Sequence, residues 1–193
     1  GGILWLELSG DCWADTGLDE IGHFGGFDTV VITGSGTLTL SQRLEAGTGK
    51  ERLPALIVDG VDVTCPEIGL TANLLLLSGS LTAERAAVSG DACVTGGTAG
   101  IGLLLDCPRL VCRGGEVVLR AGWGFMDAYR DTVPTVLLTG GTLTTEAWMP
   151  ENIVYQLWAG TITAPGIRHW PEAHLLRDGV TITDPLDDPA APE

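Results

Sequence analysis

The residues best suited to ligand chemistry lie in residues 121–134, a segment that interrupts an otherwise repetitive chain. The segment combines three aromatic and three charged residues: Trp123, Phe125 and Tyr129, and Asp127, Arg130 and Asp131. The rings could stack on sugar faces, while the charged groups could hydrogen-bond hydroxyls or hold calcium. Because loops on a rigid scaffold commonly carry function, we predict a ligand-binding site here. The alternative is a loop that folds its aromatic side chains over the scaffold edge.

A second loop, residues 11–28, collects acidic side chains at short spacing. Among them are Asp15, Asp19 and Glu20. Oxygen ligands of this kind suit calcium, although their spacing does not match an EF-hand. We predict these three residues as candidate metal ligands and calcium as the candidate cofactor. Solvated loop acids are the alternative.

No motif in the chain assigns catalytic residues. A glycan hydrolase needs two opposed carboxylates, and a lyase needs a base with calcium, but the irregular spacing of the acids places no such pair. His23, His169 and His174 show no HExxH pattern, and the glycine phrases continue into strands where a phosphate loop requires a helix. We therefore favour a non-catalytic protein and keep a polysaccharide lyase or glycoside hydrolase as the alternative.

The composition and net charge of the chain disfavour several classes of binding partner. The chain has 193 residues, 45% of them hydrophobic, and a formal net charge of −15. This charge disfavours binding to nucleic acid and to anionic lipid surfaces. No apolar run reaches the roughly 18 residues that a membrane-spanning helix needs. The partners that we predict are a polysaccharide or surface glycan and, as a further option, a second copy of the chain.

The five cysteines do not resemble a zinc site, because they form no CxxC pairs. Three of them, Cys65, Cys93 and Cys112, lie in strand-like runs, where a free thiol packs as a small apolar side chain. A disulfide between Cys107 and Cys112 is the alternative for that pair. The sequence leaves the thiol state open.

The scaffold follows from an internal repeat. An apolar run, a glycine and a Thr-apolar-Thr segment recur along the chain, most clearly at Val30–Leu40 and Val136–Thr144. The last glycines of the copies are Gly36, Gly60, Gly79, Gly115, Gly141, Gly160 and Gly179. Five of the six steps between them span 19 to 26 residues. The sixth, of 36 residues, has room for extra strands or an enlarged coil.

Each copy predicts two short strands, because Val, Ile and Thr favour extended backbone and glycine permits the bend between them. Alternation directs one apolar residue per copy to a common face: Leu38, Leu81, Leu143, Ile162 and Ile182. Since only stacked copies can bury that face, we predict an all-β fold, a single-stranded right-handed parallel β-helix (solenoid) of about seven to nine coils. It covers residues 1–183, and residues 184–193 form an acidic, proline-rich tail or linker.

Two further features belong to this scaffold. The amphipathic segment Pro171–Arg177 is expected to cap the exposed end coil. The Thr-x-Thr segments, such as Thr142 to Thr144, could align as a hydroxyl ladder on the outer surface. Asp62, Glu116 and Val118 interrupt this ladder, so we favour ordinary cross-coil threonine pairing over ice binding.

The segments Leu6–Asp11, Val31–Thr39, Leu56–Thr64 and Leu138–Thr144 are spread over most of residues 3 to 183. In them the chain resembles the pectin-lyase-like right-handed β-helix superfamily. Within it, the chain is similar to glycine- and threonine-rich modules, often labelled carbohydrate-binding, of surface and secreted proteins of anaerobic gut bacteria. The resemblance implies a binding or structural module that is secreted or at the cell surface. A cytoplasmic location stays open, and a phage fibre or spike segment is another alternative.

Overall fold

The computed structural model describes residues 2–14, 23–24, 27–47, 54–125, 133–147, 149, 153–167, 174–176 and 179–187. In these residues the chain forms strands and one short 3-10 helix, Pro185–Asp187. The strands are β1 (Ile3–Ser9), β2 (Cys12–Ala14), β3 (His23–Phe24), β4 (Thr29–Leu40), β5 (Leu44–Ala46), β6 (Pro54–Leu70), β7 (Asn73–Leu76), β8 (Gly79–Val88), β9 (Ala92–Val94), β10 (Thr98–Leu105), β11 (Arg109–Cys112), β12 (Glu116–Gly124), β13 (Thr135–Leu138), β14 (Thr142–Thr145), β15 (Val154–Leu157), β16 (Gly160–Thr163), β17 (His174–Leu176) and β18 (Val180–Thr183).

The strands pair in parallel and stack into three faces of a solenoid. The first face contains β1, the first parts of β4 and β6, and then β7, β9, β11, β13, β15 and β17. The second face contains β2, later parts of β4 and β6, the first parts of β8, β10 and β12, and then β14, β16 and β18. The third contains β3, β5 and the last parts of β6, β8, β10 and β12. The described strands of the first face form nine layers, so the predicted parallel β-helix is confirmed.

The register explains the long step of the repeat. Leu74 lies beside Ala92, and Ala92 lies beside Leu110, which gives two successive coils of 18 residues. The 36-residue step between Gly79 and Gly115 therefore contains an extra coil rather than one enlarged coil. Its register glycine is Gly97.

These glycines are required by close approach between coils. Gly79 and Gly97 have φ angles of 82° and 74°, in the left-handed region that side chains with a Cβ disfavour. A Cβ on Gly97 would also lie 2.1 Å from the carbonyl oxygen of Gly79. The backbone thus turns the corner between the first two faces at a point where no larger residue fits.

The core lies inside the solenoid and follows the predicted alternation. Leu81, Leu143 and Ile162 stack in register on the second face and are fully buried. Leu38 and Ile182 face the same way but are half-buried, because they lie in the outer coils. The predicted inward row of the second face is confirmed.

The five cysteines are free thiols, and Cys107 and Cys112 form no disulfide. Burial raises the pKa of the Cys65 and Cys107 thiols to about 12 and that of Cys112 to about 11. The main cause is desolvation of the thiolate, so these thiols stay neutral at physiological pH. They pack as small apolar side chains.

The C-terminal coil differs from the expected cap. Within Pro171–Arg177, residues His174–Leu176 form strand β17, which pairs with β15 and continues the first face. Pairing satisfies the backbone groups that β15 would otherwise leave open at its edge. Beyond it, the buried carboxylate of Asp184 accepts hydrogen bonds from the backbone N–H groups of Gly166 and Leu186, at 2.8 and 3.1 Å. In the described part of the chain, no helix is long and apolar enough to cross a membrane.

Candidate functional site

Two aromatic residues of the predicted binding segment pack into the scaffold. Trp123 lies beside Leu104 on the third face and is only 4% exposed. Its indole N–H donates a hydrogen bond to the carbonyl oxygen of Cys107, at 3.1 Å. The half-buried ring of Phe125 stacks on it, with ring centroids 6.2 Å apart. In this arrangement the ring of Trp123 presents no open face to a sugar.

The other predicted site residues lie outside the described residues. This holds for Asp127, Tyr129, Arg130 and Asp131 of the binding segment, and for the candidate calcium ligands Asp15, Asp19 and Glu20. Both sites stay predictions. Among the residues that the structure does describe, no group of three His, Cys, Asp or Glu side chains could hold a metal ion.

A broad concavity lies elsewhere, at the corner where the second face turns into the third. We call it the corner groove. It has a volume of about 650 Å³ and runs across five coils, roughly 19 Å along the solenoid axis. Its lining residues are Leu40, Ser41, Thr64, Cys65, Pro66, Thr82, Ala83, Glu84, Gly102 and Arg120.

Gly102 leaves a gap in the lining of the corner groove, in the fourth of its five coils. The register places Gly102 in the coil between those of Glu84 and Arg120, so the backbones of these two residues are two strand spacings apart, about 9 to 10 Å. A Cβ on Gly102 would lie 2.2 Å from the backbone oxygen of Glu84, so the coil between them carries no side chain. The result is a notch at Gly102, with an acidic lining residue in the coil on one side and a basic one in the coil on the other.

The corner groove offers both kinds of hydrogen-bonding group. Glu84 and Arg120 are exposed, and neither forms an ion pair with another described residue. The carboxylate accepts hydrogen bonds, the guanidinium donates them, and the hydroxyls of Thr64 and Thr82 do both. This combination fits a polar ligand with several hydroxyl groups.

The same lining is poorly suited to covalent catalysis. The thiol in the groove belongs to Cys65, whose pKa is raised to about 12 by desolvation, so it supplies no thiolate at neutral pH. Glu84 is the one carboxylate among the described lining residues. A hydrolase of glycans uses two carboxyl groups about 5 to 9.5 Å apart. The described groove supplies one of them.

Outside the groove, the second face carries an ordered polar surface. Thr142, Thr161 and Thr181 stack in register, as do their partners two residues further along each strand. In earlier coils the same row contains Asp62, whose carboxylate accepts a hydrogen bond from the Ser80 hydroxyl at 2.7 Å. The hydroxyl ladder thus exists, with cross-coil hydrogen bonding at an interruption.

Sequence reasoning missed the exposed features of the molecule. Glu84 and Arg120 line one groove only because their coils stack two layers apart, and Gly102 within the run Ile101–Leu105 was the available signal. Trp5 and Trp13 are 65% and 66% exposed on the first and second faces. Their outward direction follows from the alternation in β1 and β2.

Comparison with known protein families, with curated proteins and with solved structures finds no match to this chain.

Proposed function

We propose that the chain is a non-catalytic β-helix module that binds a neutral glycan in the corner groove. The observation that carries the proposal is the notch between Glu84 and Arg120, an acceptor and a donor that form no ion pair within the described part of the chain and lie beside threonine hydroxyls. A glycan presents hydroxyls that both donate and accept, so it can use both sides of the notch. The groove is extended along the axis, as a chain-like ligand requires.

Charge favours a neutral glycan over an acidic one. The chain carries a net charge of −15, and the described groove has one cation, Arg120, opposite one anion. An acidic polysaccharide would meet repulsion from the whole molecule. A neutral glycan would meet none.

The resemblance to glycine- and threonine-rich β-helix modules labelled carbohydrate-binding supports the same proposal. It also supports a place in a surface or secreted bacterial protein. In that setting the solenoid acts as a rigid carrier for the binding groove. Calcium binding at the predicted ligands Asp15, Asp19 and Glu20 would be a separate property of the module. Binding in the groove does not need it.

Affinity electrophoresis of the full chain tests the proposal, with gels that contain xylan, galactomannan or mixed-linkage glucan and, for comparison, polygalacturonate. We expect at least one neutral polysaccharide to retard the protein. Glu84→Ala should weaken this retention by about tenfold or more, as for the loss of hydrogen bonds to a charged group. Glu116→Ala, at an exposed carboxylate of the second face outside the groove, is the matched control and should leave retention unchanged.

Equal retention of Glu84→Ala and the unsubstituted chain on every gel would show that the corner groove is not the binding site. The alternative function, a lyase or hydrolase, is tested in the same samples. Release of unsaturated or reducing ends that disappears in Glu84→Ala would replace binding with catalysis.

A further inference from the structure

The first face has an outward row that is apolar in seven successive coils. Register places its members side by side, each in contact range of the next. The next coil ends the row with Gln156. We call this row the apolar stripe, and it consists of Trp5, Val31, Ile57, Leu75, Cys93, Val111 and Leu137.

The sequence of the first face is that of a sheet covered on both sides. Its strands read as continuous apolar runs, such as Leu56–Val58 and Leu74–Leu77, whereas the second face alternates apolar residues with threonine. Continuous runs are typical of strands whose two sides are both buried, and alternation is typical of strands with one side in water. The inner side of these runs fills the core. The outer side therefore has the composition of a surface that packs against a partner.

The apolar stripe has two hollows into which side chains of a partner can fit. A concavity of about 310 Å³ lies over Val31 and Ile57, with Trp5 and Leu77 among its lining residues. A second, of about 280 Å³, lies over Leu75, Cys93, Val111 and Leu137. Trp5 at 65% and Leu77 at 38% are exposed beside the first hollow, while Val31 and Val111 form the sheltered floor of the stripe at 5% each. The second hollow has a charged rim that includes Arg109 and Arg113. Contiguous surfaces of this kind mark interaction sites.

We propose that the apolar stripe is the interface of a homodimer in which two solenoids pack face to face with their axes antiparallel. A two-fold axis at Leu75, the middle member of the stripe, brings the whole row onto itself. Trp5 of one copy then lies over Leu137 of the other, and Ile57 over Cys93. Closed two-fold symmetry of this type needs one self-complementary surface and no second partner.

The charges beside the stripe select the antiparallel arrangement. Glu7 and Asp59 flank it in the first and third coils, and Arg113 flanks it on the same side in the sixth. Antiparallel packing places Arg113 of one copy over the coils that carry Glu7 and Asp59 of the other. Parallel packing would instead place Arg113 opposite Arg109 of the second copy, whose charge is already paired with Asp91, so Arg113 would face no free carboxylate.

The area is sufficient for a reversible dimer. Seven coils extend about 30 Å along the axis, and the outward rows of a strand cover about 17 Å across it. The two copies together would bury on the order of 1,000 Å², which is at the lower end for specific interfaces. We therefore expect a dissociation constant in the micromolar range. The corner groove lies away from this face, so its ligand and the dimer are independent.

Sedimentation velocity of the full chain over a range of protein concentrations tests the dimer. We expect a shift from the 20.1 kDa monomer to a species of twice that mass. Leu75→Glu should weaken the dimer by about 30-fold or more, as for the loss of an interface hot spot. Val118→Glu is the matched control, because Val118 is also a half-buried, outward aliphatic residue but lies on the second face, and it should leave the dimer intact.

A monomer at all concentrations overturns the proposal, as does a dimer that Leu75→Glu leaves unchanged while the variant keeps its β circular dichroism spectrum. Orientation is tested by a nitroxide at Ile3→Cys, an exposed position of the first coil that leaves Glu7 and Asp59 in place, in a Cys12→Ser, Cys93→Ala background. Antiparallel packing predicts a spin–spin distance of about 30 Å, since six coils separate the labels along the axis. A distance under about 20 Å would establish parallel packing and refute the arrangement proposed here.

Discussion

The first and second faces share an inward pattern and differ in what they turn outward. On both faces most inward residues are buried and apolar, as at Leu76 of the first face and Leu81 of the second. Outward, the first face carries the apolar stripe, and the second carries threonine, serine and acidic side chains. Two surfaces of one scaffold thus have opposite polarity.

The difference separates the residues that make the fold from those that are free to serve another purpose. Inward positions must fill the space between stacked coils, so packing restricts them to apolar side chains of suitable volume. Outward positions are free of that restriction, since a strand stacks equally well with threonine or leucine outside. Their polarity therefore differs between the faces: the second is polar, as suits contact with water, and the first is apolar, where we propose a partner.

The largest effect that this comparison predicts is at the inward positions. Leu76→Ala and Leu81→Ala should each lower the free energy of unfolding by about 2 to 5 kcal/mol, because both side chains are fully buried and leave a cavity. Thr82→Ala, one residue outward from Leu81, should change it by about 0.5 kcal/mol or less. Urea unfolding followed by circular dichroism measures all three. A comparable loss in Thr82→Ala would show that the outer row of the second face carries part of the fold.

The sequence predicts the scaffold well because the inward rows recur in it directly. Repeats with Leu or Ile inward and glycine at the corner are visible, as in Val136–Thr144. The coil around Gly97 was not recognised in the sequence, because Ala92 and Ala99 occupy inward positions that hold larger residues in other coils. Small side chains fill the core there and leave a weak pattern.

The surface is harder to predict because it depends on neighbours in other coils. The corner groove joins Thr64, Glu84 and Arg120, which come from three different coils, and its central feature is the missing side chain of Gly102. Trp123 lies in a segment without the repeat, and there the sequence does not tell an exposed ring from the buried one that the register with Leu104 produces. The alternation between inward and outward residues holds only where the register is known.

A second prediction compares how a buried and an exposed cysteine affect the pH dependence of stability. Cys107 is fully buried, and desolvation raises its pKa from 9.0 to about 12. The unfolded chain releases this proton above pH 9 while the folded chain keeps it, so stability falls as the pH rises from 9 towards 12. Each such thiol contributes about 1.4 kcal/mol per pH unit to that loss.

Cys107→Ala should therefore flatten the fall in unfolding free energy between pH 9 and pH 10.5 by about that amount. Cys12→Ser, at an exposed position, is the matched control. Chemical denaturation at several pH values measures both slopes. Parallel curves for Cys107→Ala and the unsubstituted chain would mean that this thiol is not shielded from water as the structure has it.

The smallest effects are expected for polar pairs that cross between coils, and they again differ by face. On the first face the Asp91 carboxylate pairs with the Arg109 guanidinium, an exposed ion pair. Asp91→Asn should lower the free energy of unfolding by under about 1 kcal/mol at low salt and by less in molar salt, because mobile ions screen exposed charges.

On the second face the Ser80 hydroxyl donates a hydrogen bond to Asp62, and Ser80→Ala should lower the free energy of unfolding by about 0.5 to 1.5 kcal/mol. That loss should depend much less on salt than the loss at Asp91, because the donor is neutral. Unfolding in urea at low and high sodium chloride separates the two. If the loss at Ser80 were as sensitive to salt as the loss at Asp91, the charge of Asp62 rather than the hydrogen bond itself would account for the stability of this pair.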